Sequence, residues 1–302
     1  QFVAGGTLYA VHKKLVDAER LLAFVGSKHK PLVQLITAFR ILLYRHLIIH
    51  THDAKIKGAN NLILLLMKQV VEFRDLGVLD YKTAWDYQEN LLQENLDVKK
   101  LGGGAQLTRH HLLFVEHPPV YTLGKSGKME HVLISEAERE RLGVAFFPTN
   151  RGGDITFHGP QQVVGYPILD LERFYTDIGR YLRQLEEVII LTLAQYGITG
   201  GRSAGETGVW IDADKKGKER KICAMGVRCS RWITMHGFAF NVNTDLSYFN
   251  HIVPCGIQNK AVTSLQNELG REVDYEEVKE RLKSNFEAVF NVELVTQKSL
   301  VR

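Results

Sequence analysis

The chain is 302 residues long, with 45% hydrophobic and 24% charged residues, a balance that excludes wholesale disorder. A net charge of +4 without a concentrated basic patch argues against nucleic-acid binding. The three cysteines, Cys223, Cys229 and Cys255, are too few for a disulfide-built scaffold, and their odd number fits a reducing compartment, the cytoplasm.

The charge is unevenly spread. Residues 1–66 hold nine Lys/Arg against three Asp/Glu, a net of +6, whereas residues 67–302 hold 29 against 31, a net of −2. This shift sets the expected boundary between a basic N-terminal extension, 1–66, and a catalytic domain, 67–302. The most apolar stretch of the extension, Pro31 to His50, is interrupted by Arg40, Arg45 and His46. A membrane-spanning helix needs ~20 residues with few or no charges, so no membrane segment is expected. The well-patterned run opening at Met67 reads as a natural translation start, with the extension upstream of it.

From Met67 strand and helix signals alternate. A short strand is expected over 69–73. Tyr81, Ala84, Trp85, Gln88, Leu91 and Leu92 recur at helical spacing, predicting a helix from Tyr81 to Asn95. Gly102 to Gly104 is a loop, and the apolar run ending at Glu116 reads as a buried strand stopped by Pro118-Pro119. Ser135 to Leu142 is a charged helix and Gln162 to Ile168 a Val-rich strand. Asp177 to Tyr196 carries one apolar face, predicting a long amphipathic helix. Strands follow at 208–212, 222–229 and 238–243, with Lys215 to Arg220 as a polar hairpin tip. Asp274 opens a final helix to Phe290, its first-turn Glu276 and Glu277 matched to the helix dipole. The pattern predicts an α/β (α+β) fold, a mixed β-sheet flanked by helices.

Three segments carry chemistry-bearing residues. Arg151-Gly152-Gly153-Asp154-Ile155-Thr156-Phe157-His158 joins paired glycines, which admit close backbone approach, to several polar groups in what reads as one loop. On residue type alone it is as readily a surface turn. Lys221-Ile222-Cys223-Ala224-Met225-Gly226 puts a lysine at the start of an apolar strand. In Pro254-Cys255-Gly256 a cysteine sits on a turn, placed like a nucleophile, whereas Cys223 and Cys229 lie within an apolar strand as small hydrophobes. No Cys-x2-Cys spacing points to a metal.

Taken in order, these segments resemble the octanoyltransferases of lipoate biosynthesis. The likeness runs from about Met67 to Phe290. It includes Glu116-His117-Pro118-Pro119-Val120-Tyr121-Thr122-Leu123-Gly124, the whole of Arg151 to Tyr166, Gly208-Val209-Trp210 and His236-Gly237-Phe238-Ala239-Phe240-Asn241-Val242-Asn243. The resemblance implies the fold of biotin and lipoate protein ligase catalytic domains. It implies transfer of an octanoyl group from octanoyl-acyl carrier protein to a lysine of lipoyl domains, those of 2-oxoacid dehydrogenase E2 subunits and the glycine cleavage H protein. No metal or other cofactor is implied. Cys255 is then the acyl-accepting nucleophile and Lys221 its activating acid/base. Arg151 to His158, Ala224, Met225, Gly226, Gly237, Phe238 and Ala239 form the substrate-binding segments. Gln161 departs from the family pattern, which has a small residue there.

In such a reaction a thiolate takes the acyl group from the carrier thioester and an amine then takes it from the enzyme. A nearby ammonium favours the thiolate. Backbone N–H groups near Gly256 or in the Gly152-Gly153 loop are expected to hold the oxyanion. The strands at 222–227 and 238–240 are expected to line a slot for the eight-carbon chain. The rival readings are an ATP-dependent ligase of the same fold, a non-catalytic acyl-binding module, and a cysteine hydrolase with His158 or His236 as base.

Overall fold

A computed structural model of the chain describes residues 68–102, 105–253 and 261–296. The basic extension, the expected boundary at residue 66 and the Pro254-Cys255-Gly256 turn lie outside the described residues.

The described elements are β1 (Gln69–Val78), α1 (Tyr81–Lys100), β2 (His110–Glu116), β3 (Val120–Leu123), α2 (Glu136–Arg141), β4 (Ala145–Pro148), β5 (Ile155–His158), β6 (Gln162–Ile168), α3 (Ile178–Ala194), β7 (Gly200–Gly201), β8 (Val209–Ile211), β9 (Arg220–Ser230), β10 (Ile233–Asn241), β11 (Ala261–Val262), α4 (Leu265–Leu269), α5 (Tyr275–Phe290) and β12 (Val292–Thr296). The main sheet runs β12-β1-β2-β6-β10-β9-β8-β7, with β11 paired to β9. The β12–β1, β1–β2 and β11–β9 pairs are parallel and the others antiparallel, so the sheet is mixed. A small sheet β4-β3-β5 accompanies it.

Both faces of the main sheet are covered, which is why its central strands read as continuous apolar runs. Successive side chains on a strand point to opposite faces. Leu112, Phe114 and Val163 accordingly pack with Leu185, Ile189 and Leu193 of α3 and with Leu282 and Phe286 of α5. Leu113, Val115 and Val164 pack on the other side with Ala84, Leu91 and Leu92 of α1. A separate cluster of Tyr121, Ile155, Phe157 and Ile252 closes the small sheet.

The three long helices begin where the sequence predicts. Asp80, Asp177 and Asp274 each accept a hydrogen bond from a backbone N–H of the first turn. Helix α1 runs five residues past the expected Asn95 because its end is anchored: Lys99 Nζ donates to Asp170 Oδ1 at 2.8 Å and to the Arg231 carbonyl at 2.9 Å. The expected strands at 222–229 and 238–243 are two arms of one hairpin, β9 and β10, longer than the sequence suggests. Its two-residue turn holds Arg231 and Trp232 at φ 47° and 67°. Both residues occupy the left-handed region that two-residue hairpins favour, without the usual Gly or Asn to announce it.

Candidate active site

A cavity of about 580 Å³ opens beside the β9–β10 hairpin. It collects Lys221, Ala224, Met225, Gly226, Gly237, Phe238 and Ala239 from the hairpin, and Arg151 to Thr156 together with His158 from the preceding segment. Phe157 is the one residue of that predicted segment absent from the lining. It stacks on Tyr248 with ring centroids 4.6 Å apart and belongs to the core of the small sheet.

The glycine segment is less of a loop than its composition suggests. Only 151–154 is irregular; Ile155 to His158 form β5, paired to β3. The irregular part lies directly on β9, where the Gly152 N–H donates to the Val227 carbonyl at 2.9 Å. Gly226 makes that approach possible, since a Cβ there would sit 2.6 Å from the Gly152 carbonyl oxygen. This contact also corrects an expectation: the Gly152 N–H is already committed to Val227 and is no free oxyanion donor.

Arg151 is buried and spends its guanidinium inside the protein. Nη2 donates to the Thr122 carbonyl at 2.5 Å and to Thr122 Oγ1 at 2.9 Å, and Nη1 donates to the Gly152 carbonyl at 3.0 Å. A buried network continues from there. Gln162 Nε2 donates to the Phe157 carbonyl and to Asn241 Oδ1, so its Oε1 faces His158 Nδ1 at 2.9 Å. His158 must then carry its proton on Nδ1, leaving Nε2 to accept from the Thr122 hydroxyl at 3.2 Å. Burial, helped by His117 and Arg151, holds the His158 pKa well below its ordinary value. His236 is likewise pushed down to about 3 by burial, with Arg151 and Arg228 adding to it. Both are neutral imidazoles at physiological pH, and His158 has both nitrogens occupied, which suits a scaffold better than a hydrolase base.

Gln161, the departure noted in the sequence, has φ 60°. A small residue is natural in that left-handed conformation. Here the glutamine is held by its side chain: Asn243 Nδ2 donates to its Oε1 at 2.8 Å, and the Thr244 hydroxyl donates to its carbonyl at 3.0 Å.

Lys221 lies at the other end of the lining, buried on β9 between two strands. Its backbone pairs with Trp210 of β8 and Val262 of β11. Its Nζ stands 4.6 Å from the centre of the Trp210 ring, a cation–π contact that keeps the ammonium over one surface. Gly208, at φ 118°, makes room for the lysine stem; a Cβ there would lie 2.5 Å from the Cys223 carbonyl oxygen and 3.5 Å from Lys221 Cε. Cys223 is fully buried and its thiol is pushed up by desolvation, as befits a core residue. Cys255 lies outside the described residues.

The model of the lipoyl protein ligase A/B catalytic domain matches residues 80–287. An octanoyltransferase of Christiangramia forsetii is 58% identical over 235 residues, covering 76% of this chain and 100% of that protein. One from Flavobacterium johnsoniae is 57% identical over 233 residues, again with 76% and 100% covered. The chain belongs to the octanoyltransferase family. It is therefore an acyltransferase. The fold is that of the lipoate protein ligases. A structure from the archaeal lipoylation system of Thermoplasma acidophilum, which comprises a bi-partite lipoate protein ligase and its E2 lipoyl domain, aligns with TM-score 0.55 at 15% identity over 76% of this chain and 87% of that one. A lipoate-protein ligase A bound with ATP aligns with TM-score 0.55 at 14% identity, over 76% and 89%.

The cavity of this octanoyltransferase is also lined by residues that sequence reasoning did not name as site candidates. Tyr81 from the first turn of α1, Tyr166 from β6 and the 205–207 stretch before Gly208 all line it. Tyr81 carried only a core signal, whereas Tyr166 ends the Arg151-to-Tyr166 stretch that the family resemblance includes, without being singled out as a site residue. The Gly205-Glu206-Thr207-Gly208 run did offer a signal, glycines flanking polar residues just before a strand. Among the described residues no group of three His, Cys, Asp or Glu side chains could hold a metal ion, and no helix is long and apolar enough to cross a membrane.

Proposed function

We propose that the chain moves an octanoyl group from octanoyl-acyl carrier protein to a lysine of a lipoyl domain, by way of a thioester on Cys255. The observation that carries this reading is the cavity itself, with a buried lysine in its wall and an apolar hairpin slot beside it. Support for the Cys255–Lys221 pair comes from the chain around it. Val262, seven residues after Cys255, is in register with Lys221, and the Thr263 N–H donates to the Lys221 carbonyl at 2.9 Å. Seven residues span at most roughly 25 Å, so the cysteine is tethered within the neighbourhood of the lysine.

In the first half-reaction the Cys255 thiolate attacks the donor's thioester carbonyl carbon. The bond from that carbon to the carrier sulfur breaks, and the carrier leaves as a thiol with the proton that Lys221 relays. In the second, the neutral amine of the acceptor lysine attacks the enzyme thioester. An amide bond forms, the enzyme sulfur leaves as thiolate, and the amine's excess proton passes to Lys221. The slot supplies affinity at about 0.8 kcal/mol per buried methylene. The acceptors are the lipoyl domains of 2-oxoacid dehydrogenases and of the glycine cleavage H protein. The cytoplasm, as a reducing compartment, suits both the free thiols Cys223 and Cys229 and the required thiolate.

Intact-mass analysis after incubation with octanoyl-carrier protein tests the reading. A single octanoyl adduct is expected, absent in Cys255→Ser and formed slowly in Lys221→Ala. An undiminished adduct in Cys255→Ser removes that nucleophile. A transfer that requires ATP and free octanoate replaces the reading by that of a ligase.

A further inference from the structure

The slot beside Lys221 has a floor of small side chains, and a bulge turns the lysine onto it. Val209 pairs with Cys223 but Trp210 with Lys221, so Ile222 is an extra residue in β9. Val209 and Cys223 pack on the α3–α5 face. Trp210 and Lys221, one step on in the ladder, therefore point to the α1 face. Ala224, Ala239 and Val164 lie side by side on that face, in register across β9, β10 and β6. All three line the cavity with Lys221. From Lys221 to Val164 is roughly 13 Å on the diagonal, two strand spacings across and three residues along, one of them in the bulge. An extended eight-carbon chain measures roughly 10 Å. A chain held at its carbonyl beside Lys221 and laid over this floor ends close to Val164.

What stands past Val164 is polar: Tyr81, His158, Tyr166 and His236 line the inner end, all buried. Tyr166 follows Val164 on the same face of β6. The Leu79 carbonyl, 2.7 Å from His117 Nδ1, holds the imidazole proton there, so Nε2 accepts from the Tyr166 hydroxyl at 2.7 Å. The His117 ring in turn lies 5.3 Å from that of Tyr81. His158 has partners on both nitrogens. His236, at φ 57°, brings its ring to the α1 face, 6.1 Å from Trp85. There Nε2 lies 2.7 Å from Asn150 Oδ1, and Nδ1 is sealed inside the protein.

Tyr81 differs from all of these. Its hydroxyl has no hydrogen-bond partner among the described residues, yet it is not sealed from solvent as the Tyr181 and Tyr196 hydroxyls are. The residue is 3% exposed, and the cavity it lines is the space that this surface meets. The ring has no freedom to seek a partner elsewhere. Asp80 caps α1 by accepting from the Thr83 N–H at 2.9 Å, which fixes Tyr81 as the first residue of the helix. Its ring stacks on Phe147 at 5.5 Å and on His158 at 5.9 Å. Burial raises its pKa to about 12, so the hydroxyl keeps its proton at neutral pH. A donor this deep is costly to leave unpaired, and a water or an acceptor on the ligand has to satisfy it.

We infer that the Tyr81 hydroxyl sets the length of acyl chain the slot takes: eight carbons end short of it, and the next atom of the chain meets it. At that place the phenol refuses a methylene and accepts an ether oxygen. This rests on the octanoyl-transfer reading and deepens it by naming the group that ends the slot. A longer hydrocarbon takes the place of the water on the hydroxyl and returns no hydrogen bond. An oxygen in the same position returns it. A wall that limited the chain by size alone would treat the two alike. The chemistry is the same acyl transfer; only the far end of the chain changes.

The test compares carrier thioesters of octanoate, decanoate and 8-methoxyoctanoate. The last two have equal length and differ by one methylene replaced with oxygen. In the wild type, kcat/KM for decanoyl is expected at least fivefold below octanoyl, and 8-methoxyoctanoyl at least fivefold above decanoyl. The second margin runs against solvation, since an oxygen is harder to bring out of water than a methylene. Decanoyl within fivefold of octanoyl, or a methoxy margin under fivefold, overturns the inference while the parent reading stands. Tyr81→Phe removes the hydroxyl and keeps the stacked ring. In it the methoxy-over-decanoyl margin should fall below half its wild-type value; a margin retained above half belongs to another group and overturns the inference. Each margin is a ratio within one protein, so a loss of stability or overall rate does not move it. Failure of octanoyl transfer in the wild type counts against the parent reading. The inference is then judged by calorimetric binding of free decanoate and 8-methoxyoctanoate, with the same fivefold margin.

Discussion

Glu186 is a fully buried carboxylate on α3, and it ties the wall of the cavity to the core. Its Oε1 accepts the Gly208 N–H at 3.1 Å, and its Oε2 accepts from Arg202 Nε at 2.9 Å and from Arg183 Nη1 at 2.8 Å. Those bonds clamp the start and end of the 202–208 segment, whose Gly205, Glu206 and Thr207 line the cavity. Removing one partner of a buried pair costs about 3–5 kcal/mol. Both arginines are partly exposed, at 45% and 36%, and can turn to water, and Arg202 also has Glu187 at 2.6 Å. Glu186→Ala should therefore fall at the low end, about 3 kcal/mol. Glu186→Gln keeps an acceptor for Gly208 but loses the charge-assisted part, about 1–2 kcal/mol. Urea unfolding followed by tryptophan fluorescence measures the loss, and transfer kinetics should show KM for the donor rising more than kcat falls. A cycle with Arg202→Ala should give a coupling above about 0.5 kcal/mol. A Glu186→Ala protein within 0.5 kcal/mol of wild type, with unchanged KM, would refute the clamp.

The buried imidazoles give a pH dependence of definite sign. Burial lowers His117 from its ordinary 6.5 to about 4 and His236 to about 3. Above pH 6.5 neither the folded nor the unfolded chain protonates these rings, so they contribute no slope. Below it the unfolded chain takes up protons that the folded one refuses, and stability falls toward pH 4. Each ring contributes up to about 1.4 kcal/mol per pH unit. The urea midpoint should drop between pH 7 and 5; a flat midpoint contradicts the assigned burial. Gly226→Ala places a methyl group against the Gly152 carbonyl, 2.6 Å away, and should push the 151–154 segment off β9. A loss of about 1–3 kcal/mol is expected. Octanoate binding measured by calorimetry should weaken at least tenfold, and unchanged binding would show that the segment does not shape the site.

What the sequence made legible follows from how local each signal is. Helices α3 and α5 could be read because a 3.6-residue apolar period and a capping Asp lie within the helix itself. The Arg231-Trp232 turn was hidden because both residues adopt a conformation their side chains do not favour, under tertiary control from Lys99 on the Arg231 carbonyl. The small sheet was hidden for another reason. Strand β5 is four residues long and follows two glycines, so composition favoured a loop over the pairing that β3 imposes. At the site the same division holds. Lys221 and the hairpin glycines stand out by type, but Asn150 and Gln88 bond to His236 from 86 and 148 residues away along the chain, and Glu89 bonds to Arg228 from 139 residues away. No local spacing encodes such contacts.

The reach of the slot is then a property of backbone register. Cys223 to Ser230 pair with Phe240 to Ile233 without a break, so the separation between Lys221 and His236 is counted in residues rather than set by side-chain packing. A slip by one residue would exchange the two faces of β10 and carry Met235 and Ala239 away from α1. The Arg231-Trp232 turn prevents that slip by fixing how the arms meet, and the left-handed His236 then departs from the alternation at one position only.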